Sequence, residues 1–327
     1  MEYVKLGNSG LDVSRICLGC MSFGDTTSGF NGWAVNEDAS REIIHDALEL
    51  GINFFDTANC YSYGTSEQYL GRALKGLNRD EIVVATKVFM PMRQGANSGG
   101  LSRKSIMTEI DHSLSRLGLD YVDLYIIHRW DYNTPIEETM ASLADVVQSG
   151  KARYIGASAM FAWQFEKAQF TADRQGGPRF VSMQNHYNLL YREDEREMLP
   201  LCRDEGIAST PYSPLAAGRL ARRGPTTTKR TETDDIAVSK YGATEIVDAP
   251  VIERVAVLAE RYGATMSQIS LAWLLRQTPV VAPIIGATKA SHVEEAVGAL
   301  SVTLSDDDAA YLEEPYVPHK VVGALSA

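Results

Sequence analysis

NFFDTANCYSYGTSE, residues 53–67, reads as the end of a strand, a polar loop and the start of a helix. Asn53, Phe54 and Phe55 form a short apolar, aromatic run, Asp56 closes it, and Gly64 stands just before a segment of helical spacing. In a parallel α/β architecture such a loop lies at the carboxyl end of a strand, where catalytic residues of barrels and open sheets collect. That placement puts Asp56 and Tyr61 at one pocket mouth.

Two further apolar runs end in the same way. Residues 82–87 read IVVATK and close on Lys87, and residues 123–128 read DLYIIH and close on His128. Ionised groups are rarely buried without partners. A carboxylate, a phenol, an amine and an imidazole at three strand ends therefore point to one cluster rather than to separate packing roles.

The same alternation runs along the chain. Residues 3–6 and 12–15 flank the turn Gly7-Asn8-Ser9-Gly10 and predict a short hairpin. A strand at 16–18 and a helix over 37–50 follow. Then come a strand to Asp56 with helix 66–77, a strand to Lys87 with helix 102–117, and a strand to His128 with helix 135–149. The second half predicts strands at 154–157, 181–184, 208–210 and 280–283, with helices from 163, over 195–205, 251–262, 265–276 and 291–300. Eight βα repeats favour an α/β fold of the closed (β/α)8 TIM-barrel type in a single domain, residues 1–327. Residues 219–250 lose the periodicity and predict a long functional loop or a disordered segment. A doubly wound domain would place G-x-G-x-x-G after its first strand, and the 26 glycines include no G-x-G.

Composition narrows the class. A net charge of −11 argues against a nucleic-acid or acidic-membrane binder, and no apolar run approaches the roughly 18 residues a membrane span requires. Cys17, Cys20, Cys60 and Cys202 show no paired framework, which fits a reducing, cytoplasmic setting. Cys17-x-x-Cys20 has no second pair and reads as packing. Cys60, next to Tyr61, reads as a small filler with a redox-sensitive thiol as the alternative. His45, His112 and His186 have no ligand spacing, so no metal is expected.

Asp56, Tyr61, Lys87 and His128 together resemble the catalytic residues of the aldo-keto reductase superfamily. The resemblance extends through GRALK (71–75), HRWDYNTPIEE (128–138), KARYIGAS (151–158), PYSPLAAG (211–218) and PIIGATK (283–289). Within the superfamily the chain looks closest to the bacterial branch related to potassium-channel β-subunits and aryl-alcohol dehydrogenases. The resemblance implies a hairpin plugging the barrel floor, NADPH/NADP+ as cofactor and a small-molecule carbonyl substrate. Its chemistry is hydride transfer, with Tyr61 as general acid, Lys87 stabilising the phenolate, Asp56 holding Lys87 charged and His128 orienting the carbonyl.

The cofactor positions are carried over in the same way. Ser158 and Gln184 match carboxamide-binding positions, and Tyr212 matches the residue stacking on the nicotinamide. Ser213, Leu215, Gly218 and Arg219 match the pyrophosphate loop. Gly286, Thr288 and Lys289 open a helix suited to the 2′-phosphate, with His292 and Glu295 near adenine. Three positions depart from the pattern: Ala159 and Ala296 stand where relatives often carry Asn, and His292 replaces Gln or Arg. Phe23, Trp33, Phe89, Arg129 and Trp130 follow strand ends and imply an aromatic mouth for an aryl or small aliphatic carbonyl, or a sugar-derived one. Arg129 admits an anionic substrate. Two rival readings are an NADPH-binding redox-sensing interaction protein and a Schiff-base aldolase using Lys87.

Overall fold

The computed structural model describes residues 1–28, 31–224 and 233–323. Strands β1 (Tyr3–Lys5) and β2 (Asp12–Ser14) form the expected antiparallel hairpin, with Val4 opposite Val13. Leu6 and Val13 are fully buried among barrel-interior residues that include Phe54, Leu124 and Ile126. The hairpin turn closes on the amino-terminal ends of two strands. A Cβ at Gly7, whose φ is +59°, would lie 2.7 Å from the Val181 carbonyl oxygen, so a side chain there would push the plug off the floor.

Eight parallel strands follow: β3 (Cys17–Gly19), β4 (Phe54–Asp56), β5 (Val83–Val88), β6 (Val122–Ile127), β7 (Ala152–Ser158), β8 (Phe180–Gln184), β9 (Ala208–Ser209) and β10 (Ile284–Gly286). Their spatial order is β10-β3-β4-β5-β6-β7-β8-β9. The segment before β10 closes the ring, because Ser209 N–H donates to the Pro279 carbonyl at 3.0 Å and Val281 N–H to the Ser209 carbonyl at 2.9 Å. β5 and β6 are buried along their whole length, as parallel strands covered on both faces must be.

Helices wrap the strands where the spacing predicts them: α1 (Glu37–Glu49), α2 (Thr65–Leu74), α3 (Arg103–Leu117), α4 (Ile136–Gln148) and α5 (Ala162–Gln175). The caps are chemical. Asn36 accepts from Ala39 N–H and Ser102 from Ser105 N–H, while Gly118, at φ +65°, ends α3. The apolar faces of α1 to α5 pack on the outer face of the sheet in the largest core cluster.

The structure corrects the sequence reading in the last third. The expected strand 280–283 is displaced: Val280 makes only a bridge to Ser209, and the ladder with β3 begins at Ile284. Pro283 has no N–H to give a ladder, so it serves only as an acceptor for Cys17 N–H. The expected helix 195–205 is a 3-10 turn, Glu193–Glu195, followed by α6 (Met198–Asp204). Residues 219–250 are far from structureless where they are described. They hold α7 (Asp235–Tyr241) and the start of α8 (Glu245–Tyr262), with Pro250 inside the helix. The carbonyl that Pro250 leaves without a helical donor belongs to Ile246, whose residue is 88% exposed and open to water. After α8 come α9 (Met266–Leu275), α10 (Ala290–Gly298) and α11 (Asp306–Glu313). The last was not expected, although Ser305 caps it on Asp308 N–H. No helix among the described residues is long and apolar enough to cross a membrane.

Candidate active site

Asp56, Lys87 and His128 stand at the carboxyl ends of adjacent strands, and Tyr61 returns to them from the loop after β4. The return is tight: Ser62 and Tyr63 both adopt positive φ, 46° and 53°, inside the short 3-10 turn that carries Tyr61. Non-glycine residues pay for such angles, and clusters of them collect at functional sites. Lys87 is fully buried and its Nζ donates to Asp56 Oδ1, to the Thr57 carbonyl at 2.8 Å and to Tyr61 OH at 3.2 Å. All three ammonium donors thus have acceptors. The rings of Tyr61 and His128 meet edge to face at 5.8 Å, and His128 Nδ1 lies 3.8 Å from Cys60 Sγ. That contact leaves Nε2 as the imidazole nitrogen without a protein partner among the described residues.

Burial sets the protonation states. It raises the Tyr61 phenol to about 12 against the pull of the Lys87 ammonium, so the hydroxyl is protonated at neutral pH. Burial alone would lower the Lys87 amine, but Asp56 and Tyr61 overcome it and hold the amine above its ordinary range. His128 is held well below its usual value by burial, with Lys87 and Arg129 adding to the effect, and is therefore neutral. Burial also pushes the Cys60 thiol up to about 11, leaving it a poor nucleophile.

The cofactor candidates lie across the barrel mouth, and a hydrogen bond ties them to this cluster. Gln184 Nε2 donates to Asp56 Oδ2 at 2.8 Å, so Asp56 bridges the Lys87 ammonium and the Gln184 amide. Ser158 Oγ donates to the Gln184 carbonyl at 3.0 Å. Gln184 Oε1 and the Ser158 oxygen lone pairs remain as acceptors for an amide NH2. Ala159, at φ +47°, adds no side-chain donor.

Ser213, Ala216, Ala217 and Gly218 all adopt positive φ, between 48° and 92°. Three left-handed non-glycine residues, Ser213, Ala216 and Ala217, in a six-residue loop are the kind of strain that a ligand clamp stores. Tyr212 OH is buried without a partner among the described residues. Its ring stacks at 5.2 Å on His186, which in turn stacks at 4.1 Å on Tyr191. Arg219 is held by Asp248 at 2.9 Å and the Tyr241 carbonyl at 3.0 Å. Leu215 is half-buried against the core. At the amino end of α10, Gly286 faces open space, Lys289 is exposed, Thr288 N–H reaches His292 Nδ1 at 3.4 Å, and Glu295 is half-buried one turn on.

The expected substrate residues divide. Phe23 is fully buried in the core, away from solvent, and Trp33 is almost so. Phe89 is half-buried. Trp130 is buried and packs edge to face on Trp163 at 5.9 Å, and Arg129 lies beside it, half-buried. The sequence reading missed an apolar wall: Met21, Met90 and Met92 pack on Ala58, Cys60 and Tyr61. Lone methionines in loops carry no periodic signal. It also treated His186 as ordinary, although the residue follows β8 as His128 follows β6. Phe30, in the loop after the first barrel strand, and Lys229 and Arg230, in the basic stretch that begins with Arg219, Arg222 and Arg223, lie outside the described residues.

The pattern of the aldo/keto reductase family matches residues 15–316. The versiconal hemiacetal acetate reductase of Aspergillus parasiticus is 43% identical, covering 98% of both chains. The aldo-keto reductase dtxS3 of Metarhizium robertsii is 40% identical over 99% of this chain and 93% of its own. A protein carrying an aryl-alcohol dehydrogenase name in Schizosaccharomyces pombe is 40% identical over 99% and 98%. With full-length similarity of this kind, and a barrel carrying Asp56, Tyr61, Lys87 and His128 in one cluster, the chain belongs to the aldo/keto reductase family and is an oxidoreductase.

Proposed function

We propose that the protein reduces an aldehyde or ketone to the alcohol with NADPH, and that Tyr61 is the proton donor. The observation that carries the reading is the buried Asp56–Lys87–Tyr61 chain of hydrogen bonds, in which a protonated phenol is held 3.2 Å from a charged ammonium. When bound, the nicotinamide supplies a hydride to the carbonyl carbon and leaves oxidised. The carbonyl oxygen then takes the Tyr61 proton, and the phenolate left behind is stabilised by Lys87. Neutral His128 donates through Nε2 to the same oxygen and fixes its position. Water returns the proton to Tyr61 after release.

The chain's own groups fit the cofactor. Gln184 Oε1 and Ser158 Oγ can accept from the carboxamide, Tyr212 offers a ring, the strained 213–218 loop offers a clamp for pyrophosphate, and exposed Lys289 favours the 2′-phosphate of NADPH over NADH. Lys87 has no free amine to attack a carbonyl, since Asp56 keeps it protonated, so the geometry lends no support to aldolase chemistry.

The test compares wild type with Tyr61→Phe for NADPH oxidation with 4-nitrobenzaldehyde, with NADH in parallel. Loss of a proton donor predicts a fall of about 10²–10⁴-fold in turnover with NADPH binding retained. A variant that keeps its rate would remove Tyr61 from the mechanism.

A further inference from the structure

Arg129 follows His128 at the end of β6, and the nearest acid in sequence, Asp131, spends its carboxylate on other groups. Asp131 accepts from Leu101 N–H at 2.8 Å and Thr134 Oγ at 2.8 Å through Oδ2, and from Asn133 N–H at 2.9 Å through Oδ1. Those bonds fold the 128–134 loop and leave the carboxylate committed. The guanidinium donates only to the carbonyl of the preceding residue, at 3.1 Å, and among the described residues no carboxylate lies within ion-pair distance of it. The other basic groups around the catalytic loop are matched: Lys87 by Asp56, Arg93 by Glu109 and Arg116 by Glu67.

The position of Arg129 is central. Its charge acts on Cys60, His128, His186 and Tyr212, groups set by the ends of β4, β6, β8 and β9. Half-buried next to His128, its guanidinium has no carboxylate to pair with among the described residues and is open to an anion from outside the chain. The surrounding wall is apolar, built from Trp130 and the methionines beside Tyr61.

We infer, on the reading that this site reduces carbonyls, that its substrates carry a carboxylate on an apolar body, with Arg129 receiving the carboxylate while the carbonyl oxygen meets Tyr61 and His128. A guanidinium matches a carboxylate with two parallel bonds, and such charge-assisted pairs are the strong ones. Arg129 is then a specificity-determining residue, and the neutral part of the ligand rests on the methionine wall.

The experiment measures kcat/KM with NADPH for 4-carboxybenzaldehyde and 4-nitrobenzaldehyde in wild type, Arg129→Met and Arg129→Lys. The expected ratio of carboxylate to neutral substrate is about tenfold or more in wild type, close to one in Arg129→Met and intermediate in Arg129→Lys, which keeps charge without the fork. Raising ionic strength lowers the wild-type ratio and leaves that of Arg129→Met unmoved. Equal losses on both aldehydes overturn the inference. So does a rise in the NADPH Kd, followed by quenching of protein fluorescence, with the ratio intact, since Arg129 would then serve the cofactor. If wild type reduces neither aldehyde, the carbonyl-reduction reading itself fails. Wild-type turnover of the neutral aldehyde without the carboxylate preference overturns the inference alone.

Discussion

The two sides of the barrel mouth are built by different means. On the β4–β6 side, Asp56, Lys87 and His128 emerge directly from buried strands, and each catalytic group has a protein hydrogen bond or ring contact in place. On the β8–β9 side, the candidate cofactor groups sit in loops with left-handed residues, and Tyr212 OH and His186 Nδ1 are buried with no partner among the described residues. Both sides carry left-handed non-glycine residues, but the first joins Asp56, Lys87 and Tyr61 in one buried hydrogen-bonded chain, whereas the second presents side chains that no such chain connects among the described residues. A rigid proton-transfer unit beside an adaptable clamp lets one machinery serve whatever the loops deliver. The bond from Gln184 to Asp56 links them.

The sharpest way to break this contrast is Lys87→Met. It removes the charge that stabilises a Tyr61 phenolate and leaves Asp56 buried beside an apolar chain. Turnover is expected to fall by about 10²–10⁴-fold. Stability is expected to fall as well, by about 3–5 kcal/mol, because breaking a buried ion pair strands the other charge. The double variant Asp56→Leu/Lys87→Met separates the two effects. Denaturant unfolding should show much of the lost stability recovered, while activity stays low. Activity returning with stability would make the pair a structural strut.

Proton traffic gives a second, smaller effect with a definite sign. The Tyr61 phenol is raised to about 12, so the protonated form needed for carbonyl reduction is fully present from pH 6 to 9. Alcohol oxidation needs the phenolate as base, and its fraction grows about tenfold per pH unit below that value. Oxidation of benzyl alcohol with NADP+ should therefore rise by about 100-fold between pH 7 and 9, while aldehyde reduction stays flat. A bell-shaped reduction profile centred near 7 would assign the proton to another group.

How much was legible follows the same division. Asp56, Lys87 and His128 could be read because each interrupts an apolar run at its end, where burial makes an ionisable group conspicuous. Tyr61 lies five residues beyond Asp56, the last residue of β4, and needed the family spacing to be chosen over Tyr63, which is 60% exposed. The clamp side hid its order. Pro250 reads as a helix breaker, yet it is tolerated because the carbonyl it orphans faces solvent. α11 depends on Ser305 and three consecutive acids, a capping signal too short to stand out from a polar tail. The methionine wall forms from residues distant in sequence, 21, 90 and 92, whose meeting depends on how two loops fold over Tyr61.

The smallest expected effect tests whether the clamp is organised by its own charges. Asp248 receives Arg219 at 2.9 Å, Thr244 Oγ at 2.7 Å and His319 Nε2 at 2.8 Å, and so joins the loop after β9, the start of α8 and the segment after α11. Arg219 uses one terminal nitrogen there, and on the function we propose its other donors would face the cofactor pyrophosphate. Asp248→Ala frees the guanidinium and loosens all three segments, so NADPH affinity should weaken by about fivefold, worth about 1 kcal/mol. The kcat at saturating NADPH should hold, because nothing in the Asp56–Lys87–Tyr61 unit is touched. Titration by NADPH fluorescence reads the first quantity and steady-state kinetics the second. Tighter binding in Asp248→Ala would reverse the picture: Asp248 would then be holding Arg219 away from the cofactor, and the clamp would be a latch that NADPH must open.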